Sequence, residues 1–118
     1  MKTILITDDD EFLTSMYELS LKKDGVRVVV AHDGEQALAQ MEKEKPDLML
    51  LDLLMPKMDG FSVLQHMKEK NIHVPVVILS NLKGEMDQKR CKELGAKDYY
   101  CKSDMDLDAL TAKVKALL

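Results

Sequence analysis

The stretch that decides the fold is residues 48–56, which read LMLLDLLMP. Its first four residues are large and apolar, as expected for a strand that is buried on both faces of a parallel sheet. Asp52 follows them directly, and a charge inside such an apolar stretch is costly unless it is paired or binds a metal. The next predicted helix starts near Asp59 and Gly60, too far along the chain for Asp52 to cap it. Asp52 is therefore the first candidate functional residue.

Strands and helices alternate on both sides of this stretch. Residues 3–6, 26–30 and 74–79 predict further strands buried on both faces, and residues 99–101 predict a short fifth strand. Between the strands, apolar residues recur at the spacing of a helix. They are Phe12, Met16 and Leu19; Ala37, Leu38 and Met41; Val63, Leu64 and Met67; and Leu107, Leu110, Val114 and Leu117. Residues 84–94 are the least periodic segment, and Gly25 and Gly95 stand where two helices should end.

This alternation predicts the α/β class and one domain over residues 1–118. The parallel strands would be joined by right-handed helical crossovers, with helices on both faces of the sheet. Such a (βα)₅ arrangement is the flavodoxin-like, doubly wound sandwich, whose common strand order is 2-1-3-4-5. The order itself is not written in the pattern.

Composition argues against several classes of protein. The net charge of −4 and the scattered lysines disfavour direct binding of nucleic acid. No apolar run approaches the ~20 residues that span a bilayer, and no secretion signal is visible. Cys91 and Cys101 form no CxxC pair, which is typical of reduced thiols. We therefore expect a cytoplasmic protein that contacts neither nucleic acid nor membranes.

In this strand order strand two lies at an edge, and polar residues end the other four strands. They are Asp8, Asp9 and Asp10 after strand one, Asp52 after strand three, Ser80 after strand four and Lys102 after strand five. Ligands of such sheets bind beyond the carboxyl ends of the strands, near the point where the strand order reverses. We therefore expect these side chains to converge on one site.

The carboxylates of Asp8, Asp9 and Asp52 would repel one another at such a site. Two carboxylates about 5 Å apart repel by about 3 kcal/mol at an effective dielectric constant of about 20, and Lys102 would offset only part of this. Either a carboxylate stays protonated or a cation binds, and oxygen ligands with room for water suit Mg²⁺. A carboxylate can also attack phosphorus to give an aspartyl phosphate, with Lys102 and Ser80 stabilising the transition state.

At this point the sequence resembles the receiver domains of bacterial two-component response regulators, including chemotaxis regulators, over essentially its whole length. The matching stretches are ILITDDD at 4–10, PDLMLLDLLMPKMDG at 46–60, VPVVILS at 74–80 and GAKDYYCK at 95–102. The resemblance implies that Asp52 accepts a phosphoryl group from a phosphohistidine on a sensor histidine kinase or a phosphotransfer protein. A domain of this kind catalyses only its own phosphoryl transfer and dephosphorylation.

The resemblance also assigns roles to the residues around Asp52. The ligands of Mg²⁺ would be Asp8, Asp9, Asp52 and the backbone carbonyl of Leu54. Ser80 and Tyr99 would act as the switch that responds to the phosphoryl group. The surface of helix four, strand five and helix five would then change its affinity for an unknown output partner or for a second copy of the chain.

Three features depart from the pattern of the family. Ser103 follows Lys102, where the family usually has Pro after a cis peptide bond, so the loop that aims Lys102 differs. Asn81 is bulkier than the residue often found after the switch hydroxyl. Leu54 and Leu82 occupy variable positions that flank the site, and neither can hydrogen-bond an attacking water. The two leucines predict slow self-dephosphorylation.

Two alternative functions stay open. Asp8 and Asp10 have the Asp-x-Asp spacing of haloacid-dehalogenase-type phosphatases, which would make the chain a Mg²⁺-dependent enzyme that uses Asp8. That reading leaves Asp52 unexplained. The second alternative is a degenerate receiver that takes no phosphate and serves only as a docking module. The identity of the phosphorylated carboxylate tests the first alternative, and binding of beryllofluoride tests the second.

Overall fold

The computed structural model of the chain describes all of residues 1–118. Its centre is one sheet of five parallel strands in the order 2-1-3-4-5, which confirms the predicted class and strand order. The strands are β1 (Thr3–Thr7), β2 (Arg27–Ala31), β3 (Leu48–Leu51), β4 (Val76–Ser80) and β5 (Asp98–Cys101). Each predicted strand is present with slightly different ends.

Five helices connect and follow the strands. They are α1 (Glu11–Lys23), α2 (Gly34–Glu44), α3 (Gly60–Glu69), α4 (Glu85–Glu93) and α5 (Leu107–Leu117), with a short 3₁₀ turn at Lys102–Asp104. All but α4 begin behind an aspartate whose side chain accepts a backbone hydrogen bond from the first turn. α4 begins behind Gly84, without a side-chain cap. None of the helices combines the length and the apolar character that crossing a membrane requires.

Two apolar cores lie on the two faces of the sheet, because successive side chains of a strand point in opposite directions. Ile4 and Ile6 of β1 belong to the core under α1 and α5, whereas Leu5 belongs to the core under α2, α3 and α4. β3 and β4 are buried along their whole length, so both of their faces are covered. The helices therefore enclose the central strands as the doubly wound pattern predicts.

β2 differs from its prediction. It lies at an edge of the sheet and pairs only with β1. Val28, Val29 and Val30 are half-buried, whereas the sequence predicts burial on both faces. A run of valines indicates strand propensity, but the strand's place in the sheet decides how much of its surface is covered.

α1 forms where the spacing predicts it but buries another face. Thr14, Tyr17 and Leu21 are buried, whereas Phe12 and Leu19 are 76% and 72% exposed. Helical spacing shows that apolar residues share a side of the helix, but it does not show which side meets the sheet. The packing of α1 against the core under α1 and α5 selects the side that carries Tyr17.

Thr7, at the end of β1, offers a test of the core. It is 1% exposed, and its hydroxyl oxygen has no hydrogen-bond partner. An unpaired buried hydroxyl costs about 1–3 kcal/mol. Thr7→Val nearly keeps the shape and removes the hydroxyl, so we expect the free energy of unfolding to rise by about 1 kcal/mol in urea denaturation.

Thr111→Val is the matched control for this prediction. Thr111 is also buried, but its hydroxyl donates to the Leu107 carbonyl at 2.7 Å and lies 3.1 Å from the Ser20 hydroxyl. Its replacement should lower the free energy of unfolding by about 1 kcal/mol. Equal losses in both variants would show that the Thr7 hydroxyl has a partner after all.

Candidate functional site

The neighbouring ends of β1 and β3 place two aspartates side by side. Thr7 pairs with Leu51 across the two strands, so Asp8 and Asp52 are the next residues of each strand. The Asp52 N–H donates to the Thr7 carbonyl at 2.9 Å, and the Asp8 N–H donates to the Ala31 carbonyl at 3.1 Å. Backbone hydrogen bonds to the adjacent strands therefore fix both residues at the carboxyl edge of the sheet.

Asp8, Asp9 and Asp52 form an acidic cluster at this edge. Each offers one carboxylate oxygen, and the three oxygens lie within 4.8 Å of one another. Asp8 and Asp52 are 3% and 6% exposed, while Asp9 is exposed. The cluster has the hard oxygen donors that a divalent cation such as Mg²⁺ prefers, with an open side for water. The convergence predicted from the strand ends is present.

Lys102 lies against the two buried carboxylates of the cluster. Its Nζ is 2.6 Å from Asp8 Oδ2 and 3.2 Å from Asp52 Oδ2, and its side chain is largely buried. The bond between Lys102 and Ser103 is trans, and residues 102–104 form the 3₁₀ turn. The unusual loop after Lys102 therefore still aims the ammonium into the site. One positive charge faces three negative ones, so the cluster stays electrostatically incomplete.

The titration of the two central groups follows from this arrangement. Burial raises the pKa of Asp52, Lys102 lowers it, and the nearby Asp8 raises it, with a net upward shift. Burial lowers the pKa of Lys102, but its hydrogen bond to Asp8 and the charge of Asp52 outweigh this, so the pKa rises. The site therefore favours the charged form of Lys102 and disfavours the charged form of Asp52.

Gly60 lets the first turn of α3 approach the backbone of Asp52. A Cβ at this position would lie 2.5 Å from the Asp52 carbonyl oxygen and 2.8 Å from the Cα of Leu53. The Gly60 N–H donates to the Leu53 carbonyl at 2.9 Å, and Asp59 caps the helix. The segment after Asp52 is therefore held by close packing that only glycine permits.

Ser80 and Tyr99 are connected through one residue of the loop after β4. Ser80 is fully buried at the end of β4, and its Oγ accepts a hydrogen bond from the Leu82 N–H at 3.2 Å. The Tyr99 hydroxyl donates to the Leu82 carbonyl at 2.6 Å. Burial raises the pKa of Tyr99, which therefore remains a donor. A shift of the loop at Ser80 would thus reach Tyr99 on β5.

Comparison with known proteins decides the family. The sequence-family model that describes the response regulator receiver domain matches residues 4–115 of the chain. The chain belongs to the receiver domain family. This receiver is 38% identical over 117 residues to the alkaline phosphatase synthesis transcriptional regulatory protein PhoP of Bacillus subtilis, covering 99% of the chain and 48% of PhoP.

Further relatives agree with this assignment. The receiver is 42% identical to the transcriptional regulatory protein CpxR of Klebsiella pneumoniae over 118 residues, all of the chain and 50% of CpxR. It superposes on the solved receiver domain of Francisella response regulator 1452 with a TM-score of 0.90 at 30% identity, covering 99% of this chain and 96% of that one. The receiver spans about half the length of the curated relatives it matches.

Two residues near the site of this receiver are not predicted from the sequence. Tyr17 on α1 is buried; burial raises the pKa of its hydroxyl, Lys102 opposes the rise and Asp8 adds to it. His32 follows β2, and its Nδ1 lies 3.1 Å from the Asp8 carbonyl oxygen. Tyr17 stands four residues before the buried Leu21, and this helical spacing is the sequence signal for its burial. Nothing in the sequence pairs His32 with Asp8.

The leucines that flank the site of the receiver face different surroundings. Leu54 is 57% exposed, and its N–H lies 3.4 Å from Asp52 Oδ1. Leu82 packs partly against the core under α2, α3 and α4. Asn81 is exposed. The role of the Leu54 carbonyl as a metal ligand stays a prediction.

Asp52→Asn should stabilise the receiver in the absence of divalent cations. Because burial raises the pKa of Asp52, the folded state keeps this proton longer than the unfolded state as pH rises. Stability is therefore lost as pH rises above the unfolded pKa of about 4. We expect the variant to be more stable than the parent by on the order of 1 kcal/mol at neutral pH. The difference should vanish near about pH 3, where both states are protonated.

Urea denaturation in EDTA across this pH range measures the difference. Asp106→Asn is the control, because Asp106 is an exposed cap of α5 and Asn caps helices about as well as Asp. A gain in the control equal to that in Asp52→Asn would assign the effect to overall charge.

Proposed function

We propose that residues 1–118 form one receiver domain that acts as a phosphorylation-dependent switch in two-component signalling. Asp52 accepts the phosphoryl group from a sensor histidine kinase or a phosphotransfer protein. The observation that carries the proposal is the cluster of Asp8, Asp9 and Asp52 with Lys102 at the carboxyl edge of the sheet.

The acidic cluster fits Mg²⁺ as a cofactor. Asp8, Asp9, Asp52 and the backbone carbonyl of Leu54 would hold it, since all four groups supply oxygen. When bound, Mg²⁺ would neutralise the carboxylates and polarise an oxygen of the phosphoryl group. The open side of the cluster at Asp9 leaves room for water ligands.

Phosphoryl transfer to Asp52 needs few groups from the chain. A carboxylate oxygen of Asp52 forms a bond to phosphorus while the bond from phosphorus to the donor imidazole nitrogen breaks. The electron pair of that bond stays on the imidazole, which takes up a proton. Lys102 would stabilise one phosphoryl oxygen, which its 3.2 Å contact with Asp52 supports. The hydroxyl of Ser80 would stabilise a second phosphoryl oxygen after it leaves the Leu82 N–H.

The output passes to the surface of α4, β5 and α5. Ser80, Leu82 and Tyr99 form a continuous hydrogen-bonded connection from β4 to β5, which supports this route. The partner is an effector of unknown identity or a second copy of the chain. That the domain lies in the cytoplasm and contacts no nucleic acid directly stays a prediction, as does the long lifetime of its phosphorylated form.

The phosphatase alternative finds less support. Its second carboxylate would be Asp10, but the Asp10 side chain accepts a hydrogen bond from the Leu13 N–H at 3.0 Å and caps α1. Asp52 instead joins the acidic cluster. The docking-only alternative is disfavoured by Lys102, whose ammonium faces Asp52.

Asp52→Asn should abolish phosphorylation by acetyl phosphate in the presence of Mg²⁺. The amide cannot act as the nucleophile, so the intact mass of the variant should not increase by one phosphoryl group. Asp106→Asn should be modified like the parent, since Asp106 lies outside the cluster. Modification of Asp52→Asn at the rate of the parent would refute the proposal.

Borohydride trapping then identifies the carboxylate that carries the phosphoryl group. Peptide mass spectrometry should find the reduced residue at Asp52 in the parent. A label on Asp8 would favour the phosphatase. Unchanged NMR spectra with Mg²⁺ and beryllofluoride, together with no phosphoryl uptake by the parent, would favour the docking module.

Mg²⁺ should raise the thermal stability of the parent by an amount that grows with the logarithm of its concentration above the dissociation constant. A cation that binds only the folded state stabilises it by mass action, by about 2.7 kcal/mol at a hundredfold excess over the dissociation constant. Asp9→Asn replaces a charged carboxylate oxygen by a neutral amide oxygen without disturbing the buried pair, so the variant should bind Mg²⁺ at least about tenfold more weakly. Circular dichroism melting curves at increasing MgCl₂ measure both, and an unchanged affinity would remove Asp9 from the ligand set.

A further inference from the structure

A groove between α4 and β5 lies within the surface that the proposed function assigns to output. Its volume is about 400 Å³. Ala96 and the ring of Tyr99, both half-buried, contribute apolar surface to its lining, and the buried Cys91 lies beneath them. Burial raises the pKa of the Cys91 thiol to about 11, so this thiol stays neutral. The lining of the groove therefore offers an apolar anchor point.

Basic side chains line the same groove. Lys89, Lys92 and Lys97 all belong to the lining and are exposed. None of the three forms an ion pair with a carboxylate of the chain. Their charges are thus free to meet a partner, in a chain whose net charge is −4.

The one acidic residue that lines the groove is already engaged. Asp98 accepts two hydrogen bonds, one from the Tyr99 N–H at 2.8 Å and one from the Tyr100 hydroxyl at 2.9 Å. Its carboxylate is therefore directed to β5 itself and does not pair with the lysines.

The groove is also connected to the phosphorylation site. Tyr99, which lines it, donates its hydroxyl to the Leu82 carbonyl, and Leu82 bonds to Ser80. α4, its other wall, buries only Cys91 and lacks a side-chain cap, so few contacts oppose its displacement. A change in the loop after β4 would therefore alter the shape of the groove.

We propose that this groove binds an acidic peptide segment of the output partner, with an apolar side chain of that segment inserted beside Tyr99. The inference rests on the proposed function, because it names the chemistry of the partner that the switch controls. The unpaired lysines of the groove suit carboxylates of the peptide, and the apolar lining between them suits an apolar side chain of the peptide. Nucleic acid fits less well, since no aromatic residues other than Tyr99 line the groove to stack bases.

The test is a peptide titration on the full chain. The probe is a short fluorescent peptide in which glutamate alternates with leucine, and its counterpart carries glutamine in place of glutamate. Fluorescence anisotropy should show that the acidic peptide binds more tightly and that added NaCl weakens it. Lys89→Gln, Lys92→Gln and Lys97→Gln together should weaken binding about tenfold, as expected for the loss of three exposed ion pairs.

The matched control is a second triple variant, with Lys2→Gln, Lys23→Gln and Lys43→Gln. These lysines are exposed, lie outside the groove and form no ion pair, so the same change in net charge should leave binding unaltered. Equal losses in both triple variants, or equal binding of the two peptides, would overturn the proposal. So would a concentration-dependent dimer of the parent that needs the groove lysines and binds no peptide, because the occupant would then be a second copy.

Phosphoryl uptake separates this inference from the proposed function. A parent that is phosphorylated on Asp52 but shows no lysine-dependent peptide binding refutes the groove alone. A parent that binds the acidic peptide through these lysines but is never phosphorylated refutes the switch and leaves the groove as a constitutive binding site.

Discussion

The structure depends on a concentration of like charge that the sheet itself creates. Parallel strands β1 and β3 end side by side, so Asp8 and Asp52 must be neighbours once the strands pair. Lys102 neutralises part of their charge, but with Asp9 the site holds three carboxylates against one ammonium group. Three carboxylate oxygens so close together are the kind of donor that a divalent cation prefers.

The surrounding chain is built to hold this charge in place. Hydrogen bonds from Asp8 and Asp52 to the adjacent strands fix their backbones, and Gly60 allows α3 to pack against Asp52. The buried strands beneath supply the hydrophobic stabilisation that offsets an electrostatically unfavourable edge. The stabilising apolar contacts therefore lie in the centre of the sheet, while the unbalanced charges lie at its rim.

Most of the fold could be predicted from the sequence because it is written in local patterns. Alternating strands and helices gave the class, and polar residues after apolar strands gave the acidic cluster and Lys102. The buried face of α1 and the half-exposed β2 could not be predicted, since they depend on which elements become neighbours. Tyr17 escaped for the same reason, because its proximity to the charges arises only from tertiary packing.

Leu82 receives hydrogen bonds and gives them through its main chain alone. Its N–H contacts Ser80, its carbonyl contacts Tyr99, and its side chain takes no part in either bond. The connection between Ser80 and Tyr99 is therefore insensitive to which amino acid stands at this position, proline excepted. A substitution of Leu82 can therefore change the side chain carried by this loop while both hydrogen bonds stay in place.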